Sequence, residues 1–227
     1  MSGGKNVELN PKIHQIPNAT AHRLPIYYRS LKKLNEAGVE RVKSKELSQM
    51  TQIPSATIRR DFSHFGELGR SGYGYEVVYV TEVFRELLNV NNIINVVLVG
   101  AGNLGQAILR NNFKKERNII IKGAFDNDSS QFGKEISGIE ILPMEQMKDF
   151  IISEQICTAI CAVPSEVSQE VVEQLIDAGI TSILNFAPGR IKVPVNIQMK
   201  YIDFSSEIFT MVYQNEALYP ANLVEED

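Results

Sequence analysis

Three glycines and one aspartate have the types and spacing to do chemistry. Gly100, Gly102 and Gly105 in VVLVGAGNLGQAIL give the pattern G-x-G-x-x-G. Glycine lets a backbone turn sharply and bring bare N–H groups up to a pyrophosphate, and a helix start behind it adds a positive dipole end. The loop Gly100, Ala101, Gly102, Asn103, Leu104 and Gly105 follows an apolar strand-like run and opens a helix-like one, which is the context this pattern requires. Asp126 closes the next strand-like run, IIIKGAF, 21 residues past Gly105. A carboxylate at that distance is placed to accept the ribose hydroxyls of an adenosine. Its charge would repel a 2′-phosphate, so the spacing points to NAD(H) rather than NADP(H).

A second set of residues has a different chemistry. In TIRRDFSHFGELGRSGYGYEV, Ile58, Phe62 and Phe65 recur at helical spacing and form one apolar stripe. Thr57, Arg59, Arg60, Ser63 and His64 are left on the other faces. Arginine forks match guanine edges or phosphates, and Ser and Thr hydroxyls serve phosphates. Arg70, Gly72 and Tyr73 follow in a glycine-rich turn that leads into the strand-like YEVVYV, which reads as a β-hairpin wing with Arg70 at its tip. Tyr73 and Tyr75 are expected to pack the hairpin.

These residues need elements to hold them. Residues 26–37 read as a first helix, stopped by Gly38. A short helix fits 45–50, opening at Lys45, with Ser44 as its cap and Glu46 near its positive end. After the turn 51–54, Ser55 caps a third helix running to about Phe65. A short helix, a tight turn and a second helix with a basic outer face is the helix-turn-helix pattern. Charge agrees with it. Residues 1–77 carry 12 Lys/Arg and 7 Asp/Glu, a net of +5, whereas residues 78–227 carry 11 and 20, a net of −9. A basic part joined to an acidic one suggests nucleic-acid contact by the first part alone.

Beyond the glycine loop, strands and helices alternate. A strand at 140–142 precedes a helix at about 145–152; then come CTAICAV, EVSQEVVEQLIDA, SILNFAP and a last strand near MKYID. Such alternation implies a mostly parallel sheet covered by helices on both faces, with ligands at the carboxyl ends of its strands. That nominates Ala162, Val163 and Pro164, together with Asn185 and Phe186, as the far wall of the nucleotide site. In the terminal segment, Phe204, Ile208, Met211 and Asn215 share one helical face with Val212 beside it, suited to packing on its own domain or on a second subunit.

The fold class expected is α/β: a winged helix-turn-helix domain over 1–80, a linker over 81–92, a Rossmann-like doubly wound parallel sheet over 93–202, and a C-terminal helix and tail over 203–227. No apolar run approaches the ~20 residues of a membrane helix, and the polar MSGGKNVELN has no signal-peptide core, so a soluble, intracellular protein is expected. Cys157 and Cys161 read as buried, reduced core residues, with no further Cys or His nearby to make a metal site. Turnover of a dinucleotide would need a proton-transfer group. All three histidines, His14, His22 and His64, and the one Tyr-x-x-x-Lys, Tyr28 to Lys32, precede the glycine loop. The chain is expected to bind a dinucleotide without consuming it. An NAD-dependent oxidoreductase or a coenzyme A-binding module fused to a basic domain are the alternatives.

Several blocks in one order, RLPIYYR, IRRDFSHFGELGRSGYGYEV, VVLVGAGNLG, AFDND, GIEILP, AVPSEVSQ and ILNFAPGRIKVP, resemble the Rex redox-sensing transcriptional repressors over nearly the whole length. The resemblance implies a homodimer on a palindromic operator, repressing genes of fermentation and respiration when NADH is low. It implies release when NADH rearranges the subunits, with NAD⁺ competing and leaving DNA binding intact. It further implies that the helix from Asp203 is exchanged between subunits and closes the neighbour's nicotinamide site, with Phe204 beside that ring. Arg59, Arg60 and Arg70 become the DNA contacts under it, and an ion pair between Arg29 and Asp203 is expected to hold one state. Asn111 departs from the tyrosine frequent in the family, which bears on the preference for NADH over NAD⁺.

Overall fold

The computed structural model describes residues 16–70, 72–111, 113 and 118–218. The chain divides after Asn92 into two units, Met1–Asn92 and Ile93–Asp227.

The first unit runs α1 (Asn18–Glu36), β1 (Arg41–Val42), α2 (Ser44–Thr51), α3 (Ser55–Ser63), β2 (Gly69–Arg70), β3 (Gly74–Glu76) and α4 (Val77–Leu87). Its three short strands are antiparallel in the order β1-β3-β2, so the expected hairpin exists and a third strand anchors it. The expected stripe faces the core: Ile58, Phe62 and Phe65 are all buried. The Phe62 ring lies 5.2 Å from that of Tyr27, 4.7 Å from Tyr75 and 5.2 Å from Phe84. One aromatic on α3 thus meets α1, the wing and α4.

Helix boundaries and caps differ from expectation in four places. The first helix starts at Asn18 rather than residue 26, with Pro25 inside it. Proline removes one backbone donor and normally ends a helix. Here the turn before it is held from outside, because Leu24 is buried and Thr20 and Arg23 both bond Asp61 on α3. Ser44 does not cap α2; Lys43 precedes the helix, and its backbone N–H donates to the Glu46 carboxylate at 2.6 Å. Ser55 does not cap α3 either: Pro54 takes the N-cap position, no side chain caps it, and the helix ends at Ser63. The strand in YEVVYV stops at Glu76, and Val77 begins α4. Residues 77, 80, 81 and 84 are buried, which is helical spacing, so the core stripe overrides the β preference of a valine-rich run. Much of 81–92, expected as a linker, is therefore α4, packed on α1 within the first unit.

The second unit runs β4 (Ile94–Val99), α5 (Asn103–Asn111), β5 (Ile119–Asp126), β6 (Glu135–Ile136), β7 (Ile139–Pro143), a 3-10 turn (Met144–Gln146), α6 (Met147–Ser153), β8 (Thr158–Cys161), α7 (Ser165–Asp177), β9 (Ser182–Asn185), β10 (Gln198–Tyr201) and α8 (Phe204–Leu218). The sheet order is β10-β9-β8-β4-β5-β7-β6, parallel except for the edge strand β6. Alternation along β4 divides its core. Val97 and Val99 pack with residues of α6 and α7, while Val96 and Leu98 pack with Leu109 of α5. Strand order reverses between β5 and β8 on either side of β4, which opens the crevice used by ligands in such sheets.

Cys161 is buried but Cys157, just before β8, is exposed, which corrects the expectation that both belong to the core. Among the described residues no helix is long and apolar enough to cross a membrane.

Candidate dinucleotide and nucleic-acid sites

The glycine loop is built from close backbone approaches. Gly100 has φ +94°, and a Cβ there would lie 2.6 Å from the carbonyl oxygen of Ala162. A Cβ on Gly105 would lie 1.9 Å from the carbonyl oxygen of Gly100. The first glycine thus lets β4 pass β8, and the third lets α5 start directly against the loop. The Gly100 N–H donates to the Phe125 carbonyl at 2.8 Å, which ties the loop to β5.

Asp126 is bound into the same loop. One carboxylate oxygen accepts from the Ala101 N–H at 2.6 Å and the other from the Asp128 N–H at 2.9 Å. Gln106 Nε2 donates to the Ala101 carbonyl at 3.0 Å. The acid and the loop therefore form one preorganised unit, with the carboxylate retaining lone pairs for further donors.

A cleft of about 630 Å³ opens over this unit at the carboxyl ends of β4, β5 and β8. Gly100, Gly102 and Asp126 line one side; Ala162, Val163 and Pro164 line the other, as expected. Gln131, Met144 and Gln174 also line it and were not singled out from sequence. They reach the cleft from the β5–β6 connection, the 3-10 turn and α7, which no local motif marks. Of the remaining loop residues, Ala101 is buried and Asn103 and Leu104 are exposed at the start of α5.

Asn185 and Phe186 do not line this cleft. Asn185 is fully buried, and its amide bonds the backbone of Ala187 in both directions, at 3.1 and 3.3 Å, closing the turn after β9. Phe186 instead lines a separate apolar cavity of about 260 Å³ with Ala107, Ile108, Asn111, Phe113 and Leu184. The Phe204 ring lies 6.3 Å from Phe186, at the start of α8. The fold thus brings together three residues that were singled out for separate reasons: Asn111, Phe186 and Phe204.

α8 is exposed on every described face, with Phe204, Ile208, Phe209, Met211, Val212 and Tyr213 between 51% and 73% accessible. Asn215 lies where side chains are outside the described set. The Asp203 carboxylate accepts from the Ser205 and Ser206 N–H groups at 3.0 and 3.3 Å and from the Ser206 hydroxyl at 2.7 Å, capping α8. These bonds, the Ser206 hydroxyl foremost, hold the Asp203 carboxyl below the usual range. Arg29 bonds the Pro25 carbonyl in its own helix at 3.3 Å.

In the first unit, Arg59, Arg60, Ser63 and Lys45 are exposed, while Ser55, Thr57 and His64 are half-buried. Arg59 Nη1 donates to the Ser44 hydroxyl at 3.2 Å. It lies in a basic hollow of about 580 Å³ lined by Lys43, Ser44, Lys45, Gly72 and Tyr75. Arg60 is not part of that hollow. Lys43 was missed because it precedes the helix that carries Lys45. At the wing, Tyr73 is 71% exposed instead of packing the hairpin, whereas Tyr75 packs on Phe62. Burial raises the Tyr75 phenol, with Arg59 opposing. The Arg70 backbone forms β2; its side chain lies outside the described set, as does His14.

Comparison with known proteins covers both units. A family model described as a putative DNA-binding protein N-terminus matches residues 15–63, and one described as a CoA binding domain matches 91–189. The chain is 50% identical over 208 residues to the redox-sensing transcriptional repressor Rex 2 of Enterococcus faecalis, covering 92% of this chain and 97% of that one. It is 47% identical over 203 residues to the redox-sensing transcriptional repressor Rex of Latilactobacillus sakei, covering 89% and 98%. Among solved structures, RSP in complex with beta-NAD+ and operator DNA superposes with a TM-score of 0.82 at 34% identity, covering 89% of this chain and 94% of that one. RSP in complex with beta-NADH gives 0.79 at 31%, covering 90% and 96%.

Proposed function

This chain belongs to the Rex family of redox-sensing transcriptional repressors, and from that membership we propose that it binds operator DNA through its first unit and NAD(H) through its second, letting go of DNA when NADH binds. The observation that carries this is the pairing, in one chain, of a preorganised glycine loop with Asp126 and a recognition helix whose arginines are exposed on the outer face. It acts as a sensor, not an enzyme.

A ligand shifts an equilibrium only by its differential affinity for the two states. Hydride addition removes the positive charge of the nicotinamide ring. The neutral ring is suited to the apolar cavity of Phe186, Phe113 and Leu184, and Phe204 lies 6.3 Å from Phe186, one of its walls. We place the nicotinamide there and the adenosine in the larger cleft over Asp126. α8 carries exposed apolar side chains over more than half of its circumference, with Ser206, Glu207, Thr210 and Gln214 on the remaining side, and so broad an apolar face calls for cover. A second copy of the chain, paired through α8, provides it and presents two recognition helices to half-sites ~34 Å apart. An ion pair from Arg29 to Asp203 in that dimer would share a carboxylate already capping α8.

The test is operator binding across an NADH titration at fixed NAD⁺ and fixed salt, since phosphate contacts make affinity salt-dependent. NADH should weaken binding at least tenfold; a flat titration would refute the sensing role.

The two arginines separate into different roles. Arg60→Ala should cost ~1–3 kcal/mol on the operator and relax discrimination at one base position, whereas Arg59→Ala should weaken all duplexes alike and lower the log–log salt slope by about 1. Footprints and salt titrations on each variant decide it, and a uniform loss from Arg60→Ala would count against base reading.

The coenzyme A description of the second unit supports one other reading. Coenzyme A carries a 3′-phosphate on its adenosine ribose, which Asp126 and Asp128 in the cleft would repel. Calorimetry with NADH, NAD⁺ and coenzyme A distinguishes the two; saturable coenzyme A binding would favour the second.

A further inference from the structure

Asp61 lies in the recognition helix between Arg60 and Phe62, and its side chain is 2% exposed. Four donors converge on its carboxylate, all from one face of α1: Thr20 Oγ1 at 2.8 Å, Arg23 Nε at 2.6 Å and Nη2 at 2.7 Å, and Tyr27 OH at 2.5 Å. Arg23 grips both oxygens in the paired geometry that adds direction as well as energy. Burial by itself raises the Asp61 carboxyl, and the bonds from Arg23, Tyr27 and Thr20 override it, holding the group below the usual range.

An ion pair of this kind contributes little net stability compared with a well-packed apolar replacement, and its best-attested use is to hold a register. α3 has need of that. It is nine residues long and no side chain caps it. Its other anchors, Ile58 and Phe62, are apolar, and apolar burial is non-directional, so it tolerates sliding or rotation about the helix axis. Hydrogen bonds weaken steeply off axis and do not tolerate it. Arg60 lies opposite these anchors and Arg59 on the flank, where a small rotation carries the Arg60 fork off a base edge and Arg59 away from its phosphate.

We propose that Asp61 is a positioning residue for DNA reading: its buried bonds to Thr20, Arg23 and Tyr27 lock the recognition helix to α1 in the orientation that presents Arg59 and Arg60. The proposal rests on the operator-binding reading above. Because all four donors sit on α1, the recognition helix moves with α1.

Charge gives the test a sign. Asp61→Asn removes a negative charge from the DNA-binding unit, so electrostatics alone predicts tighter binding to every duplex. Lost positioning predicts weaker binding to the operator only. The measurement uses a palindromic duplex selected by the wild-type protein from a random pool and a shuffled duplex of the same composition, at one salt concentration and well below the melting transition. Asp61→Asn should lower the operator-to-shuffled affinity ratio at least tenfold, with shuffled binding unchanged or tighter and NADH affinity unchanged. Tyr27→Phe removes one bond and keeps the ring on Phe62, so it should lower the ratio several-fold even if Asp61→Asn does not fold. An unchanged ratio in Tyr27→Phe together with an unchanged ratio or failed folding in Asp61→Asn would overturn the proposal, leaving Asp61 a purely structural residue. A wild-type protein that selects no duplex would instead refute the operator reading on which the proposal stands.

Discussion

Gly105→Ala abolishes the NADH response, weakening NADH at least 100-fold, ~3 kcal/mol, while operator binding persists at every NADH concentration. A methyl at this position would lie 1.9 Å from the Gly100 carbonyl oxygen, with Leu98 Cδ2 a further 3.2 Å neighbour. Gly100 cannot retreat, because its own Cβ position is filled by the Ala162 carbonyl and its N–H is held by Phe125. The start of α5 must move instead, and with it the N–H groups proposed to face a pyrophosphate. The first unit has a separate core, built from Leu24, Tyr27, Phe62 and Phe84 among others, so its fold does not depend on that loop. Gly102→Ala is the control. Its Cβ meets nothing within 4 Å in the protein and points to open space at the cleft. It should melt like the wild type and still bind NADH at least tenfold more weakly, through contact with the ligand alone. Calorimetry and thermal melting on both variants check this; wild-type NADH affinity in Gly105→Ala would remove the loop from the cofactor site.

Ile208→Asp combined with Met211→Asp yields a monomer and lowers operator affinity by ~10²–10⁴-fold, the range expected when two linked binding events become independent. Ile208 and Met211 are 57% and 67% exposed within one chain. Each large apolar side chain covered by a partner is worth ~1.5–3 kcal/mol, and a buried unpaired carboxylate reverses that gain. Both substitutions are on exposed positions of α8, so each single chain keeps its fold. Sedimentation gives the oligomeric state and a mobility shift gives the affinity. A variant that stays dimeric, or a monomer that binds the operator like the wild type, would refute pairing through α8.

Much of the cofactor site could be read from local spacing. Gly100, Gly102, Gly105 and Asp126 are restrained by one turn and one strand, and their chemistry follows from residue type. The helix α3 was legible for a similar reason, since Ile58 and Phe62 mark its buried side and leave Arg59 and Arg60 outward. Residues 77–87 were misread as strand and linker because β-branched residues occupy a helical stripe, and only packing on α1 and Phe62 selects the helix. Asp61 drew no attention because an acid beside a basic patch reads as a solvated charge until three side chains of α1 are seen to surround it.

The chain's sequence alone determined which segments turn sharply, which side of α3 is apolar, and which four residues make up the glycine loop and its acid, because these depend on neighbours within a few residues or a fixed motif distance. Tertiary structure decided what distant segments share. It parted Asn185, which closes its own turn, from Phe186, which lines an apolar cavity with Asn111 and has the Phe204 ring 6.3 Å away. It placed Lys43 and Ser44 beside Arg59, and it surrounded Asp61 with donors 34 to 41 residues away. Those arrangements follow from which strand ends converge and which helices cross, and a side chain's partner across such a gap leaves no periodic trace in the chain.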